Sequence, residues 1–417
     1  MPLELITILI LVLVFVASAL LKINMGAIAL VAAFLVGTIL LGEGVDDVLS
    51  GFPTDLFIIL VGVTFLFAIA QNNGTIDWVV ERAVHLTGGR TWALPWVMFA
   101  IAAALGAAGA VPPAAVAIIA PTALSLARRN GISPLFMGLM IANGVSAGEF
   151  SPIGVFGIIV NGLADQAGLA YSPGLLFVST FAFNFVLCLV LHFWFTRRNA
   201  PRIEPIETTS VALTSATLPR TTTPVVLTLV AILGMVASVL FFSVNIGFAA
   251  LTAAVVVSVV SPAAGKAAVP MIAWPTVFLI TGIVTYVALL QRAGAIEYLG
   301  EAVGSVGMPL LAAFLICLLG GVVSAFASTT GILGALVPLA VPFMLAGEVN
   351  SVTMLIALAI ASSVVDASPF STTGALIIAN VPAAQRDKLF GQLLRWGLSM
   401  IVVAPLLAWA IFVLPGW

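Results

Sequence analysis

The feature that most constrains this chain is a succession of apolar runs, each about as long as a lipid bilayer is thick. A helix needs about 20 apolar residues to cross about 30 Å of hydrocarbon. Runs close to that length occur at 3–21, 26–42, 55–71, 134–162, 174–196, 224–243, 246–262, 275–291, 351–380 and 391–414. Only 7% of the 417 residues are charged, whereas a soluble domain carries about 25%. We therefore predict an all-α integral membrane protein with about ten transmembrane helices, the first of them not a signal peptide.

Two further apolar stretches, 92–128 and 307–345, are interrupted near their centres. Residues 111–113 (Val-Pro-Pro) break the first stretch, and residues 328–331 (Ser-Thr-Thr-Gly) break the second. Backbone breaks at membrane depth are tolerated only where they are buried in protein or face water. We therefore predict two re-entrant helical hairpins, each of which enters and leaves on one side of the membrane.

The basic residues distinguish the two faces of the membrane. If the hairpins do not cross, all but one of the 14 Lys and Arg residues fall on one side, and Arg292 alone falls on the other. Loops rich in Lys and Arg remain in the cytoplasm. We therefore predict an inner-membrane protein with both termini outside and a polar linker, 198–223, in the cytoplasm.

The two halves of the chain repeat one another. The polar pattern of residues 71–81 recurs at 291–301 with identical spacing, and a constant shift of 217 positions superposes Glu149 on Asp366. Each half then holds three spans, a hairpin and two spans, so the odd number of crossings inverts the second copy. Inverted repeats with broken helices are typical of secondary transporters. The predicted organisation is a first repeat at 1–197, the linker at 198–223, and a second, inverted repeat at 224–417.

Polar breaks also interrupt one span in each half. Ser151-Pro152 and Ser368-Pro369 resemble an N-cap followed by proline, so we predict that a half-helix begins at each. With the two hairpins, four helix N-termini then meet near the midplane, where N–H groups can bind an anion without Lys or Arg. A kink that serves only packing is the alternative. The predicted substrate-binding residues lie in these breaks: Pro112, Pro113, Asn143, Ser146, Ser151, Pro152, Ser328, Thr329, Thr330, Ser363, Ser368 and Pro369.

Glu149 and Asp366 are the acidic residues within these breaks. A carboxylate at the bilayer centre costs at least about 2.5–3.5 kcal/mol on insertion scales and is normally functional. Because no basic residue accompanies either one, each is expected to hold a proton or to bind a cation such as sodium. The alternative is that each only interacts with the N-terminus of the next half-helix. The residues predicted for cation or proton coupling are Glu149, Asp366, Ser146, Gly148, Ser362 and Ser363.

Other classes of function find little support. The net charge of −2 and the lack of basic, aromatic-rich segments argue against a nucleic-acid partner. His85 and His192 stand apart, and no metalloprotease or nucleophile-elbow motif occurs, so we predict neither an enzyme nor a cofactor other than the coupling ion. Cys188 and Cys317 lie in apolar runs and are interpreted as small hydrophobic residues.

Residues 148–157 (Gly-Glu-Phe-Ser-Pro-Ile-Gly-Val-Phe-Gly) and the hairpin-bearing layout resemble the bacterial malonate/dicarboxylate carrier family (MatC-type). This family lies within the ion transporter superfamily of citrate and dicarboxylate permeases. The resemblance covers most of the chain and is strongest over 1–165. It implies uptake of small carboxylates, such as malonate or C4-dicarboxylates, coupled to sodium or protons by an elevator-like movement in a homodimer. Sodium/dicarboxylate symporters of the superfamily carry Ser-Asn-Thr at both hairpin tips, which residues 328–330 nearly match and residues 111–113 do not.

Two other functions share this layout. One is the large membrane subunit of a binding-protein-dependent carboxylate transporter, which a periplasmic binding protein encoded beside this chain would favour. The other is a cation or anion antiporter that uses Glu149 and Asp366. The leading hypothesis is a stand-alone, cation-coupled importer of dicarboxylates.

Overall fold

The computed structural model describes residues 2–21, 23–85, 90–197, 222–242, 244–295, 298, 308–325, 329–345, 347 and 349–415. Within these ranges the chain forms helices, turns and bends, and no strand. The helices of the first half are α1 (Leu3–Leu21), α2 (Met25–Leu35), α3 (Val45–Ser50), α4 (Thr54–Asn72), α5 (Thr75–His85), α6 (Leu94–Ala107), α7 (Pro112–Arg129), α8 (Pro134–Glu149), α9 (Val155–Gln166) and α10 (Pro173–Arg197). Those of the second half are α11 (Thr223–Phe242), α12 (Ile246–Val260), α13 (Pro262–Ala268), α14 (Trp274–Arg292), α15 (Pro309–Ser324), α16 (Thr329–Leu345), α17 (Ser351–Ser363), α18 (Thr372–Ala379) and α19 (Ala383–Ala408).

Several of these helical segments are long and apolar enough to cross a membrane. By length and composition, 5 of the described segments qualify: Thr54–Asn72, Pro173–Thr196, Trp274–Arg292, Ser351–Ala379 and Ala383–Val413. Shorter apolar helices accompany them, including Leu94–Ala107 of the first predicted hairpin and Pro309–Ser324 and Thr329–Val341 of the second. The chain is therefore an all-helical, multi-pass membrane protein. The number of crossings, the inversion of the repeat and the re-entrant course of the hairpins stay predictions.

The second and third apolar helices of each half pack on those of the other half. Helix α2 packs on α14, and α12 packs on α4. Both contacts depend on glycine, since a Cβ on Gly26 would lie 1.8 Å from the carbonyl oxygen of Phe278, and one on Gly62 would lie 2.5 Å from that of Gly247. Small residues allow such close approach in lipid, where packing rather than water exclusion holds helices together. We call α2, α4, α12 and α14 the scaffold body.

Matching asparagines start two of these scaffold helices in the same way. The Asn24 side chain accepts hydrogen bonds from the N–H groups of Gly26 and Ala27, at 3.0 and 3.3 Å. The Asn245 side chain accepts from Gly247 and Phe248, at 2.9 and 3.3 Å. An Asn cap satisfies backbone donors that the first helical turn leaves unpaired. The matching asparagines therefore cap α2 and α12 in the same way.

The hairpin helices pack with the same reciprocity. Helix α7 packs on α18 of the other half, and α16 packs on α9; we call these four helices the hairpin body. Helix α8 fits closely against α6, because a Cβ on Gly148 would lie 2.0 Å from the carbonyl oxygen of Ala103. The Ser146 hydroxyl lies 3.4 Å from the carbonyl oxygen of Ser363, its counterpart at the shift of 217. Ser146 and Ser363 therefore lie where the two halves of the chain meet.

The tip of the first hairpin is well defined by its backbone. Helix α6 ends at Ala107, Gly109 has a φ of 99°, and α7 begins at Pro112 after Val111. Glycine suits the positive φ, and proline suits the first helical position, where its missing N–H has no partner to lose. The predicted linker lies outside the described residues over 198–221, and Ser328 of the second tip also lies outside them.

Candidate functional site

The first predicted break in a membrane helix lies between α8 and α9. The non-helical segment extends further along the chain than we predicted from the sequence. Helix α8 ends at Glu149 and α9 begins at Val155, with Gly154 as its N-cap. The predicted start at Ser151-Pro152 is therefore wrong. Residues 151–154 form a tight turn, in which the N–H of Gly154 donates to the carbonyl of Ser151. The Ser151 hydroxyl is not a cap because it donates to the carbonyl of Ala107, at 2.7 Å, at the end of α6.

In the second break, between α17 and α18, the new helix also begins later than predicted. A 3₁₀ turn over Val364–Ala367 follows α17, and α18 begins at Thr372 rather than at Pro369. Its N-cap is Ser371, whose side chain accepts from the N–H of Gly374 at 3.0 Å. The Ser371 hydroxyl also lies against the backbone carbonyls of Asp366 and Ser368. The sequence-based start was wrong because the hydroxyl that closes the turn belongs to Ser371, not Ser368.

Hydroxyl groups from three elements surround Asp366, which is 7% exposed. The Thr373 hydroxyl donates to Oδ2 of Asp366 at 2.7 Å. The hydroxyls of Thr329 and Ser371 lie near this carboxylate, and that of Ser371 hydrogen-bonds to the backbone carbonyl of Asp366. Because Thr329 begins α16, the second hairpin meets the break between α17 and α18 at Asp366.

Ser324, the last residue of α15, extends this group. Its hydroxyl lies 2.9 Å from that of Thr329. The two hydroxyls therefore join the two arms of the second hairpin just beside Asp366. A carboxylate with several hydroxyls is a set of hard oxygen atoms, the type of ligand that binds small cations without thiolate or imidazole.

Glu149 occupies the corresponding place in the first half, but its surroundings are different. It is 0% exposed, and among the described residues neither carboxylate oxygen makes a hydrogen bond. The N–H groups of Val155 and Phe156, in the first turn of α9, act on the carboxylate without reaching hydrogen-bond geometry. Asp366 is close enough for its charge to act on Glu149. A buried carboxylate without partners is costly when ionised, so Glu149 needs a proton or a cation.

The remaining predicted residues fall into two groups. Ser362 and Ser363 are buried, and their hydroxyls have no hydrogen-bond partner within the described part of the chain. Asn143 and Ser151 instead use their side-chain donors on the backbone carbonyls of Leu139 and Ala107. The first group is free to bind a ligand, whereas the second stabilises the local backbone.

The other predicted substrate-binding residues make no hydrogen bond to Glu149 or Asp366 that the described part of the structure shows. Thr330 is buried beside Thr329, and Ser368 accepts a long hydrogen bond, 3.4 Å, from the N–H of Phe370. Pro112 and Pro113 open α7. Pro152 is exposed, whereas Pro369 is buried.

Three residues in contact with the site were missed by the sequence analysis: Ser324, Ser371 and Thr373. A signal for two of them was present, since residues 371–373 (Ser-Thr-Thr) combine an N-cap residue with further hydroxyls. Ser324 carried no such signal, because its position beside Thr329 depends on how the hairpin folds.

Comparisons with known proteins agree with this picture. Residues 1–149 match the family model described as "Dicarboxylate carrier protein MatC N-terminus", and residues 220–416 match that described as "Citrate transporter". No curated protein matches the chain significantly. Both matched families are carriers rather than enzymes. The resemblance predicted from the sequence is confirmed: the two parts of the chain are similar to a MatC-type dicarboxylate carrier and to a citrate transporter.

Proposed function

We propose that this protein is a secondary active transporter that imports small dicarboxylates, of the malonate or C4-dicarboxylate class, together with sodium or protons. The observation that carries the proposal is the buried oxygen cluster at Asp366, where the second hairpin meets the break between α17 and α18. The matches to carboxylate carriers support the substrate class.

The chemistry of the breaks explains why a cation is needed. The helices α7, α9, α16 and α18 all begin at hairpin tips or breaks, so their N-terminal N–H groups are available to carboxylate oxygens. Each helix terminus contributes only about 0.3–1 kcal/mol. Since Glu149 and Asp366 add negative charge to the same region, we expect a co-bound cation or proton to neutralise the dianion.

Alternating access completes the proposal. We propose that the two halves are inverted repeats related by a two-fold axis in the membrane plane, which the reciprocal packing of both bodies supports. The hairpin body would carry the substrate past the scaffold body, in a homodimer of the bacterial inner membrane with both termini outside.

Reconstitution tests this function directly. Purified protein in proteoliposomes should accumulate labelled malonate or succinate when an inward sodium or proton gradient is imposed, with each gradient applied separately. Uptake without any added binding protein would exclude the role of a binding-protein-dependent subunit. No uptake of any di- or tricarboxylate under either gradient would refute the proposal.

The role of the second hairpin has its own test. Replacing Thr329 and Thr330 by alanine should raise the apparent substrate constant by roughly tenfold, because a lost hydrogen bond to a charged group is worth about 1.5–3 kcal/mol. Replacing the exposed Thr122 of α7 by alanine provides a matched control. Unchanged uptake in the double variant would remove the hairpin from the site.

A further inference from the structure

A long apolar groove lies on the protein surface between α10 and α19, and none of its lining residues belongs to the candidate site. Both helices pack on α8 and α17, but they make at most marginal contact with each other. The space between them measures about 890 Å³, and Leu135 and Leu139 of α8 line it as well. Because both helices are long and apolar enough to cross a membrane, the groove opens toward lipid.

Each wall of the groove is a row of side chains spaced four residues apart, and such residues lie in line along one face of a helix. The row on α10 consists of Val178, Ala182, Val186, Val190 and Trp194. The row on α19 and the turn that continues it consists of Arg395, Ser399, Val403, Leu407 and Ile411. Each row spans roughly 24 Å at 1.5 Å per residue. The groove therefore extends along most of the hydrocarbon thickness, which is about 30 Å.

The two rows run in opposite directions along the groove. The Ser351 hydroxyl donates to the carbonyl of Ala170 at 2.8 Å, so α10 and α17 begin side by side. Gly397 of α19 lies against Ser368, beyond the end of α17, since a Cβ on Gly397 would be 3.1 Å from that of Ser368. Arg395 therefore lies at the end of the groove where α10 ends.

Arg395 gives that end of the groove a positive charge that no acidic side chain neutralises. Its Nε donates to the carbonyl of Gly391 at 3.2 Å, and in the described part of the chain it forms no ion pair. Helix α10 carries no acidic residue, and the one acidic residue of α19, Asp387, stands between Arg386 and Lys388. The remaining guanidinium donors of Arg395 are therefore available to an anion, and phosphate fits their planar geometry.

We propose that the groove between α10 and α19 binds one anionic phospholipid, with its phosphate on Arg395 and an acyl chain along the two rows. Basic pockets between membrane helices hold anionic headgroups at the cytoplasmic face, which is the face where the sequence places Arg395. Trp194 ends the other row at this level, as tryptophan does at membrane interfaces. A helix from a second copy, about 10 Å wide and as long as the groove, would need roughly twice its volume.

A lipid in this groove would lie directly behind the second break. Gly397 is two residues from Arg395 and so lies on the opposite face of α19, where the helix packs on the 3₁₀ turn Val364–Ala367 that contains Asp366. The lipid would therefore hold α19 against this turn. Since binding and stability can be measured without uptake, the inference stands apart from the proposed transport function.

Native mass spectrometry of the purified full-length protein tests the headgroup preference. Phosphatidylglycerol and phosphatidylcholine with identical acyl chains serve as probes, and the wild type should retain the first about fivefold more tightly or better. Arg395→Gln should reduce this preference by about fivefold, whereas Arg395→Lys should keep most of it. Arg128→Gln is the matched control, because Arg128 is exposed at the end of α7 and lies outside the groove.

A second variant tests the apolar part of the groove. Ala182→Trp fills the space between the rows and should weaken retention of both lipids severalfold. Val402→Trp, at an exposed position of α19 outside the groove, should not. Phosphatidylglycerol should also raise the thermal midpoint of the wild type more than that of Arg395→Gln.

Three results would overturn the inference. Equal retention of the two lipids by the wild type, or equal preferences in Arg395→Gln and Arg128→Gln, would mean that only unselective boundary lipid covers the groove. Unchanged lipid retention in Ala182→Trp would place the lipid elsewhere. If Ala182→Trp instead converted an oligomer into monomers, which the same spectra report, a second copy of the chain would be the occupant.

Discussion

Asp366 and Glu149 hold the same position in the two halves, but they have opposite surroundings. The Thr373 hydroxyl donates to the carboxylate of Asp366, and the hydroxyls of Thr329 and Ser371 lie near it, while no described group hydrogen-bonds to the carboxylate of Glu149. At the shift of 217, the three hydroxyl residues correspond to Pro112, Gly154 and Phe156. None of these has a side-chain donor.

The two breaks therefore have similar backbone geometry but different side chains around the carboxylate. Glu149 is the last residue of α8, Asp366 lies in the 3₁₀ turn after α17, and each precedes a new half-helix. The oxygen atoms needed to hold a cation are present beside Asp366 alone among the described residues. We therefore expect the second break to determine sodium dependence, and the predictions below test that asymmetry from its largest consequence to its smallest.

Asp366→Asn should have the largest effect. It removes the charge that accepts the hydrogen bond of Thr373 and lies near the hydroxyls of Thr329 and Ser371, and a hydrogen bond to a charged group is worth about 1.5–3 kcal/mol. We expect uptake at fixed sodium to fall by roughly a hundredfold or more. Initial rates in proteoliposomes measure this, with the exposed Asp387→Asn of α19 as a matched control. Equal rates in the two variants would contradict a role for Asp366 in coupling.

Thr373→Val should have the next largest effect. It is nearly isosteric and removes the 2.7 Å hydrogen bond to Asp366, so the sodium constant for uptake should rise by roughly tenfold. The neighbouring Thr372 is exposed, and Thr372→Val should leave that constant unchanged. If both variants behave alike, the hydroxyl of Thr373 serves only to cap α18.

Ser324→Ala should have a smaller effect. Its hydroxyl contacts Thr329 rather than the carboxylate, so only a neutral hydrogen bond of about 0.5–1.5 kcal/mol is lost. A rise of about two- to tenfold in the sodium constant is expected. Titration of uptake with sodium gives this value. A loss as large as that in Asp366→Asn would instead make Ser324 a direct ligand.

Glu149→Gln should have the smallest effect on folding and on sodium dependence. No hydrogen bond to the carboxylate is lost, and an uncompensated buried carboxyl is replaced by a neutral group. We expect the thermal midpoint of the purified protein to be unchanged or higher, and the sodium constant to be retained. A marked loss of sodium dependence would show that Glu149 binds sodium, and the two breaks would then be chemically equivalent.

Much of the fold was predictable because the membrane restricts what a chain can do. Apolar runs predicted helices such as α4 and α14 within a few residues. The half-helix starts were misplaced by three residues, since Ser151 and Ser368 have the local appearance of caps. Which serine closes such a turn depends on neighbouring elements, as the bond from Ser151 to Ala107 shows.

The sequence by itself determined that this chain is a helical membrane protein, and it predicted two halves of similar pattern with a carboxylate at each break. Composition, span length and internal spacing are local properties that need no tertiary contact. Only the tertiary structure decided that Thr329, hydrogen-bonded to Ser324, lies near Asp366, and that the Glu149 carboxylate is left without a hydrogen-bond partner among the described residues. It also decided that α16 packs on α14 and α9, whereas α7 packs on α18. These outcomes depend on which helices meet, because similar sequences in the two halves place matching side chains beside different neighbours.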